Sequence, residues 1–135
     1  AYAPDHFEVV LNISITVTET NSDEDLAAAL LPVKGMLSFY VGGMGAKGQN
    51  YHTKLMARMG FEEEALRIQD LFLDGRRDEA ITAVPDLFAD EISLVGTPDR
   101  IRDRLTAFED SPVTMLNVAS GTTDRLRRVA EIVLG

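Results

Sequence analysis

The chain has no cysteine, and its two histidines, His6 and His52, lie far apart in the sequence. The absence of cysteine excludes a disulfide framework, a thiolate nucleophile and a zinc–thiolate site. Two distant histidines do not make a ligand set, so we expect no metal site. A chain without cysteine fits a reducing compartment, and we expect a cytoplasmic protein.

Basic residues are scarce. Thirteen Lys and Arg residues against 22 Asp and Glu residues give a net charge of −9, and no basic residue precedes Lys34. Such a surface repels polyanions, which argues against nucleic acid or an anionic membrane as a partner. No uninterrupted apolar run approaches the roughly 18 residues of a membrane span, and no signal peptide is visible. The length of 135 residues suffices for one domain with a core.

Four glycines and a lysine occur between Phe39 and Tyr51. Glycine lets a backbone approach a ligand, and the first N–H groups of a helix that follows such a loop attract anions. Gly43, Gly45 and Lys47 are therefore candidate cofactor-binding residues. The alternative is a helix–helix corner that needs glycine for its shape and leaves the lysine in solvent. Because no strand precedes the segment, it is not the dinucleotide fingerprint.

Hydrophobic periodicity and capping residues predict the elements. Residues Phe7 to Thr18 predict one strand with an apolar face and a small polar face. A helix capped by Ser22 follows, with a break or kink at Pro32. Thr97 and Pro98 open another helix. Further helices are predicted over 49–59, 61–73, 77–83 and 86–90, a short strand over 92–95 and a strand over 113–119. A last helix is predicted over 123–134, with Leu126, Val129, Ala130 and Val133 facing inward.

This order of elements favours an α/β fold with parallel strands and helical crossovers. Three strands cannot close a barrel, and a helical excursion over about 22–91 is long for a crossover. Both properties are expected of the C-terminal half of a (β/α)8 barrel, a fold that needs about 250 residues. The chain begins with Ala1 rather than methionine. Processing or excision from a longer protein would explain this start.

Six short segments occur in a recognisable order. They are YVGGMG at 40–45, NY at 50–51, MGFEEEA at 59–65, IQDLFLDGRRDEA at 68–80, VPD at 84–86 and LVGTPDR at 94–100. In this order they resemble the C-terminal part of bacterial-luciferase-like oxidoreductases and monooxygenases. The likeness spans nearly the whole chain and is nearest to the branch that uses the deazaflavin coenzyme F-420.

The resemblance implies a (β/α)8 barrel that binds F-420, or alternatively FMN, at the carboxyl ends of its strands and moves a hydride to or from a small organic substrate. Members of the family place much of their cofactor contact in the N-terminal half, which this chain lacks. We therefore expect residues 1–135 to form a single half-barrel domain that is inactive alone and does not retain the cofactor. The catalytic residues stay unassigned. The alternative is a non-catalytic α/β interaction module that oligomerises.

Three residues are expected at the carboxyl ends of strands, where barrel enzymes keep their chemistry. Thr18 is a candidate for the substrate, and Gly96 with Thr97 for a phosphate or carboxylate of the cofactor. Their alternatives are barrel filling and an ordinary helix cap. Tyr40 and His52, which flank the glycine segment, are further substrate candidates, and histidine transfers protons near neutral pH. A surface or partly packed histidine is the alternative for His52.

An incomplete barrel leaves strand edges unpaired, and unpaired edges invite another chain. The segment Phe7 to Thr18 carries no lysine that would guard such an edge. We therefore expect the partner to be a second copy of the chain or the missing N-terminal half of the barrel.

Overall fold

A computed structural model of the chain describes residues 7–118 and 121–135. These residues group into two units: a strand unit, built from the chain up to Ala29 and from Ser93 onward, and a helical unit, Leu30–Ile92. The elements are β1 (Val10–Ile13), β2 (Ile15–Val17), α1 (Asp23–Gly43), α2 (Tyr51–Arg58), α3 (Glu62–Leu73), α4 (Arg77–Ala83), α5 (Asp86–Glu91), β3 (Leu94–Gly96), α6 (Pro98–Glu109), β4 (Met115–Val118) and α7 (Thr123–Leu134).

The strands of the strand unit are short and parallel. β1 pairs with β4, with Val10 opposite Met115, and β2 pairs with β3, with Ile15 opposite Leu94. The α/β class with parallel strands is thus confirmed. The prediction of one strand from Phe7 to Thr18 is wrong, because the segment divides at Ser14 and takes a different partner on each side. The predicted end of the last strand at Ala119 lies outside the described residues.

The pairing of β4 bears on the half-barrel prediction. Consecutive strands of a (β/α)8 barrel are neighbours, whereas in the described residues β4 is hydrogen-bonded to β1 and not to β3. The two pairs form separate two-stranded sheets, which are marginal on their own. The strand pairing therefore does not by itself establish a segment of a barrel.

The core of the strand unit combines strands with α6 and α7. Its buried members are Ile15, Leu94, Ile101, Val129 and Ile132. The start of α6 is as predicted, since the Thr97 hydroxyl accepts from the N–H of Arg100 at 3.5 Å and proline follows at the first helical position. The inward position predicted for Leu126 is wrong. That side chain is 48% exposed because the cluster covers only the second half of α7.

Helix α1 continues without interruption from Asp23 to Gly43, so the predicted break at Pro32 is wrong. Proline removes the hydrogen bond to the carbonyl of Ala28. Because Ala28 is exposed, water can satisfy that carbonyl and the helix tolerates the loss. The Ser22 hydroxyl accepts from the N–H of Asp25 at 3.2 Å, which agrees with its predicted role as a cap.

By length and composition alone, α1 is apolar enough to cross a membrane. This is weak support for a span, because the core helix of a globular domain can have the same composition. Within the helical unit α1 buries Leu30, Val33, Leu37 and Val41. That buried stripe is what a core helix requires.

In the helical unit α3 packs against both α2 and α4, and Met56, Ala65, Ile68 and Ala80 are buried there. The predicted bounds of α4 are confirmed, and those of α2, α3 and α5 agree to within two residues. Gly60 at the end of α2 has a φ of 97°. Glycine adopts this left-handed conformation without strain, which explains why the helix stops there.

Candidate functional site

The glycine segment is organised by a side chain that the sequence reading did not single out, Asn50. This residue is 1% exposed. Its Nδ2 donates to the carbonyls of Tyr40 at 2.8 Å and Val41 at 2.9 Å. Its Oδ1 accepts from the N–H groups of His52 at 2.8 Å and Thr53 at 3.4 Å. One amide therefore joins the last turns of α1 to the first turn of α2.

This cap removes part of the reason for expecting an anion here. The expectation relied on free N–H groups at the start of the second helix. The N–H groups of His52 and Thr53 are instead bound by Asn50. The assignment of Gly43, Gly45 and Lys47 to the cofactor stays a prediction that this geometry does not favour.

Two further buried polar side chains extend the junction. The Thr53 hydroxyl donates to the carbonyl of Val41 at 2.6 Å and accepts from Nε2 of Gln69 at 3.2 Å. Gln69 lies on α3 and is 1% exposed. The signal for it in the sequence was a polar residue next to Ile68 on the inward side of an amphipathic helix, where burial requires a partner.

The first two glycines of the segment make room for an aromatic ring. A Cβ on Gly42 would lie 2.4 Å from the Cβ of Phe72, and a Cβ on Gly43 would lie 2.5 Å from its Cε1. A Cβ on Gly45 would lie 3.1 Å from the Cα of Asn50. Close packing of α1 against α3 thus requires glycine at 42 and 43, which agrees with the helix-corner interpretation.

Lys47 is 68% exposed, and its Nζ lies 2.5 Å from the carboxylate of Asp70. It borders an open cavity of about 380 Å³ together with Asp70, Asp74 and Arg76. An anion bound there would meet two carboxylates as well as two cations. The guanidinium of Arg76 is already held by Glu79 at 2.5 Å, and this hydrogen bond lowers the pKa of that carboxyl below its usual value.

The structure brings the predicted substrate residues Tyr40 and His52 together. Their ring centroids are 4.9 Å apart in an edge-to-face arrangement, and the ring of Tyr51 meets His52 from another side at 5.5 Å. Tyr40 and His52 line a cavity of about 260 Å³ whose other walls are apolar. The cavity lies within the helical unit and includes side chains of α1, α2 and α5.

The strand unit gathers the other three candidates at the carboxyl ends of β2 and β3. The N–H of Thr18 donates to the carbonyl of Gly96 at 2.9 Å, and the Thr18 hydroxyl donates to the carbonyl of Thr20 at 2.6 Å. Thr97 follows Gly96 directly and caps α6. All three residues therefore lie where β2 and β3 end, and their binding roles stay predictions.

Asn21, which was not predicted to belong to this cluster, hydrogen-bonds to Thr97. Its Oδ1 accepts from the N–H of Thr97 at 2.9 Å, and its Nδ2 donates to the Thr97 hydroxyl at 2.9 Å. Gly96, with a φ of 142°, has no space for a side chain because an added Cβ would lie 2.9 Å from that Oδ1 and 2.6 Å from the Cδ of Arg100. A ligand at Thr97 would have to displace the amide of Asn21.

The described residues form no candidate metal site. Across residues 7–118 and 121–135, no three His, Asp or Glu side chains are placed to hold an ion. His6 lies outside the described residues.

Sequence comparison decides the family. The sequence model of the luciferase-like monooxygenase family matches residues 2–127, nearly the entire chain. The chain belongs to the luciferase-like monooxygenase family. A protein of Mycobacterium tuberculosis, provisionally named a coenzyme F-420-dependent oxidoreductase, is 34% identical over 127 residues. This luciferase-like chain thereby aligns over 94% of its own length but spans only 35% of that relative.

No solved structure matches the chain. The family implies a TIM-barrel-type α/β fold, and the parallel strands and intervening helices of this luciferase-like chain are of the same class.

Proposed function

We propose that the chain is the C-terminal part of a luciferase-like oxidoreductase that uses coenzyme F-420, with FMN as the alternative, and transfers a hydride to or from a small organic substrate. The observation that carries the proposal is the family match over residues 2–127. The name of the mycobacterial relative favours the deazaflavin. The single half-barrel domain over residues 1–135 is part of the same proposal.

The residues present do not by themselves form a site for F-420 or FMN. The N–H and hydroxyl of Thr97 are bound by Asn21, the hydroxyl of Thr18 is bound by Thr20, and Lys47 is paired with Asp70. These groups of Thr97, Thr18 and Lys47 are therefore already engaged within the chain. This supports a division of the cofactor site between this chain and another polypeptide segment, and no catalytic step is assigned to a residue described above.

The chain alone is expected to bind both cofactors weakly, with a Kd above about 10 µM. Tight sites bury most of a ligand, and here only part of the enclosing wall is present. Fluorescence titration with F-420 and with FMN measures this. Micromolar or tighter saturable binding to residues 1–135 alone would show that the chain forms a complete cofactor site.

Activity is tested on the complete product of the reading frame that contains this chain. We expect that product to oxidise or reduce F-420 in the presence of small organic substrates, monitored by the absorbance of the deazaflavin. A product that binds neither F-420 nor FMN, although folded, would contradict the proposal. It would leave the non-catalytic interaction module as the better description.

We also propose that the strand unit associates with a second copy or with the missing half of the barrel. Its two-stranded sheets leave edges that another strand can pair. Lysine at Ile13 or Ile15 would not test this, because both side chains belong to the core of the unit. Val10 on β1, which is 49% exposed, is the suitable position.

Sedimentation at several concentrations is expected to show an oligomer that dissociates in the Val10→Lys variant. The control is Leu126→Lys on α7, an equally exposed apolar position outside the strands, which should leave the mass unchanged. A wild-type monomer at tens of micromolar would contradict association between copies.

A further inference from the structure

The helical unit contains the cavity that the substrate candidates Tyr40 and His52 line. We propose that this cavity binds a neutral, largely apolar small molecule of aromatic or alicyclic type that carries one hydrogen-bonding oxygen. Tyr40 and His52 are the substrate candidates of the proposed function, so the inference rests on that function for the role of the ligand, whereas binding to this chain is measured separately from activity of the parent protein. The proposed binding rests on the walls of the cavity, on its two polar groups and on its size.

The cavity is open to solvent, and its walls are apolar. Met56 and Phe88 are 0% and 4% exposed, while Met36 and Met59 are each 43% exposed and stand nearer to solvent. Methionine adapts to irregular ligands because its side chain is flexible and polarizable. No Asp, Glu, Lys or Arg is among the residues that line the cavity in the described chain. Since an unpaired charge is costly to bury in such surroundings, the ligand is neutral.

Tyr40, which is 37% exposed, and His52 are the two lining residues whose side chains carry a polar group. Their rings meet at 4.9 Å, which fixes one ring against the other. In the described part of the chain, no hydrogen bond is found for the Tyr40 hydroxyl or for the ring nitrogens of His52. A hydroxyl and an imidazole beside an apolar cavity are the kind of polar groups that orient a ligand in small-molecule sites.

The size of the cavity selects the occupant. Its volume of about 260 Å³ lies just below the range of roughly 300–1,000 Å³ for drug-sized ligands. A partner helix would instead need a long groove that accepts side chains over several turns. The cavity therefore fits a molecule of one or two rings rather than a helix of a second copy.

The five methionines of the chain provide a direct test with internal controls. Met36, Met56 and Met59 line the cavity, whereas Met44 and Met115 do not. The chain is labelled with carbon-13 at the methionine methyl groups and titrated with β-naphthol, a two-ring probe with one hydroxyl. We expect saturable shifts at the three cavity methyl signals and none at the other two.

Tyr40→Phe is expected to weaken the binding of β-naphthol about three- to tenfold, the effect of one lost hydrogen bond. Tyr51→Phe makes the same chemical change at a residue that is 61% exposed and does not line the cavity, so its affinity should equal that of the wild type. Shifts at all five methyl signals, or no saturable shift, would overturn the proposal. So would cavity shifts that depend on protein concentration without the probe, because a second copy would then be the occupant.

Discussion

Replacing Asn50 by alanine is expected to lower the free energy of unfolding of the helical unit by about 2–4 kcal/mol. The amide is buried and makes four hydrogen bonds to the backbone of α1 and α2. Its removal leaves the carbonyl of Tyr40 and the N–H groups of His52 and Thr53 without that partner. Each buried group left unsatisfied costs about 1–3 kcal/mol, and water entering the space offsets part of the sum.

Urea denaturation measures the loss, and hydrogen exchange of the α2 amides shows whether it is local. Gln49→Ala is the matched control, because it removes a neighbouring amide that is exposed; its effect should stay within about 0.5 kcal/mol. If both variants unfold alike, the Asn50 side chain does not hold the junction. Unchanged exchange of the α2 amides in Asn50→Ala would likewise show that the Asn50 side chain does not stabilise the junction.

Gly42→Ala is expected to destabilise the helical unit by about 2–3 kcal/mol, because the new Cβ would lie 2.4 Å from the Cβ of Phe72 and would force α1 away from α3. Gly35→Ala, on the same helix, is the control. A Cβ there meets nothing within 4 Å. Alanine has the higher helix propensity, so this variant should gain about 0.5–1 kcal/mol.

Repeating the glycine substitutions in a Phe72→Ala background distinguishes a clash with Phe72 from the general effect of replacing a helical glycine. Gly43→Ala would meet the ring of Phe72 at Cε1, so in a Phe72→Ala background its cost should nearly vanish. Gly42→Ala would meet the Cβ, which alanine at 72 retains, so most of its cost should persist there. Thermal or urea denaturation of Gly42→Ala and Gly43→Ala, each compared with its own wild-type or Phe72→Ala background, measures these costs. A stable Gly42→Ala in either background would show that the two helices are not held at this spacing.

Local signals in the sequence predicted most helices. The bounds of α4 and the cap of α6 by Thr97 with Pro98 depend on neighbouring residues alone, so the sequence identified them. The predicted break at Pro32 was wrong because the cost of the missing hydrogen bond depends on whether water reaches the carbonyl of Ala28. The strand from Phe7 to Thr18 was misread because its division at Ser14 depends on partners about 80–100 residues away, which no local pattern reveals.

The candidate site divides in the same way. The sequence named Tyr40, His52, Thr18 and Gly96 as separate candidates, and the structure places Tyr40 beside His52 and Thr18 beside Gly96. The sequence missed Asn21, Asn50 and Gln69, whose partners are set by tertiary packing. Buried polar groups must be satisfied, but which carbonyl or N–H satisfies them follows only from the arrangement of the helices.

The sequence by itself determined the family, the α/β class and the positions of most helices, because these follow from motif order, periodicity and caps. Only the tertiary structure decided the role of the glycine segment. Gly42 and Gly43 admit the ring of Phe72, and Asn50 binds the N–H groups that an anion would have used. Glycine permits close approach to a ligand and to a neighbouring helix equally well, so composition cannot distinguish the two until the neighbour is in place.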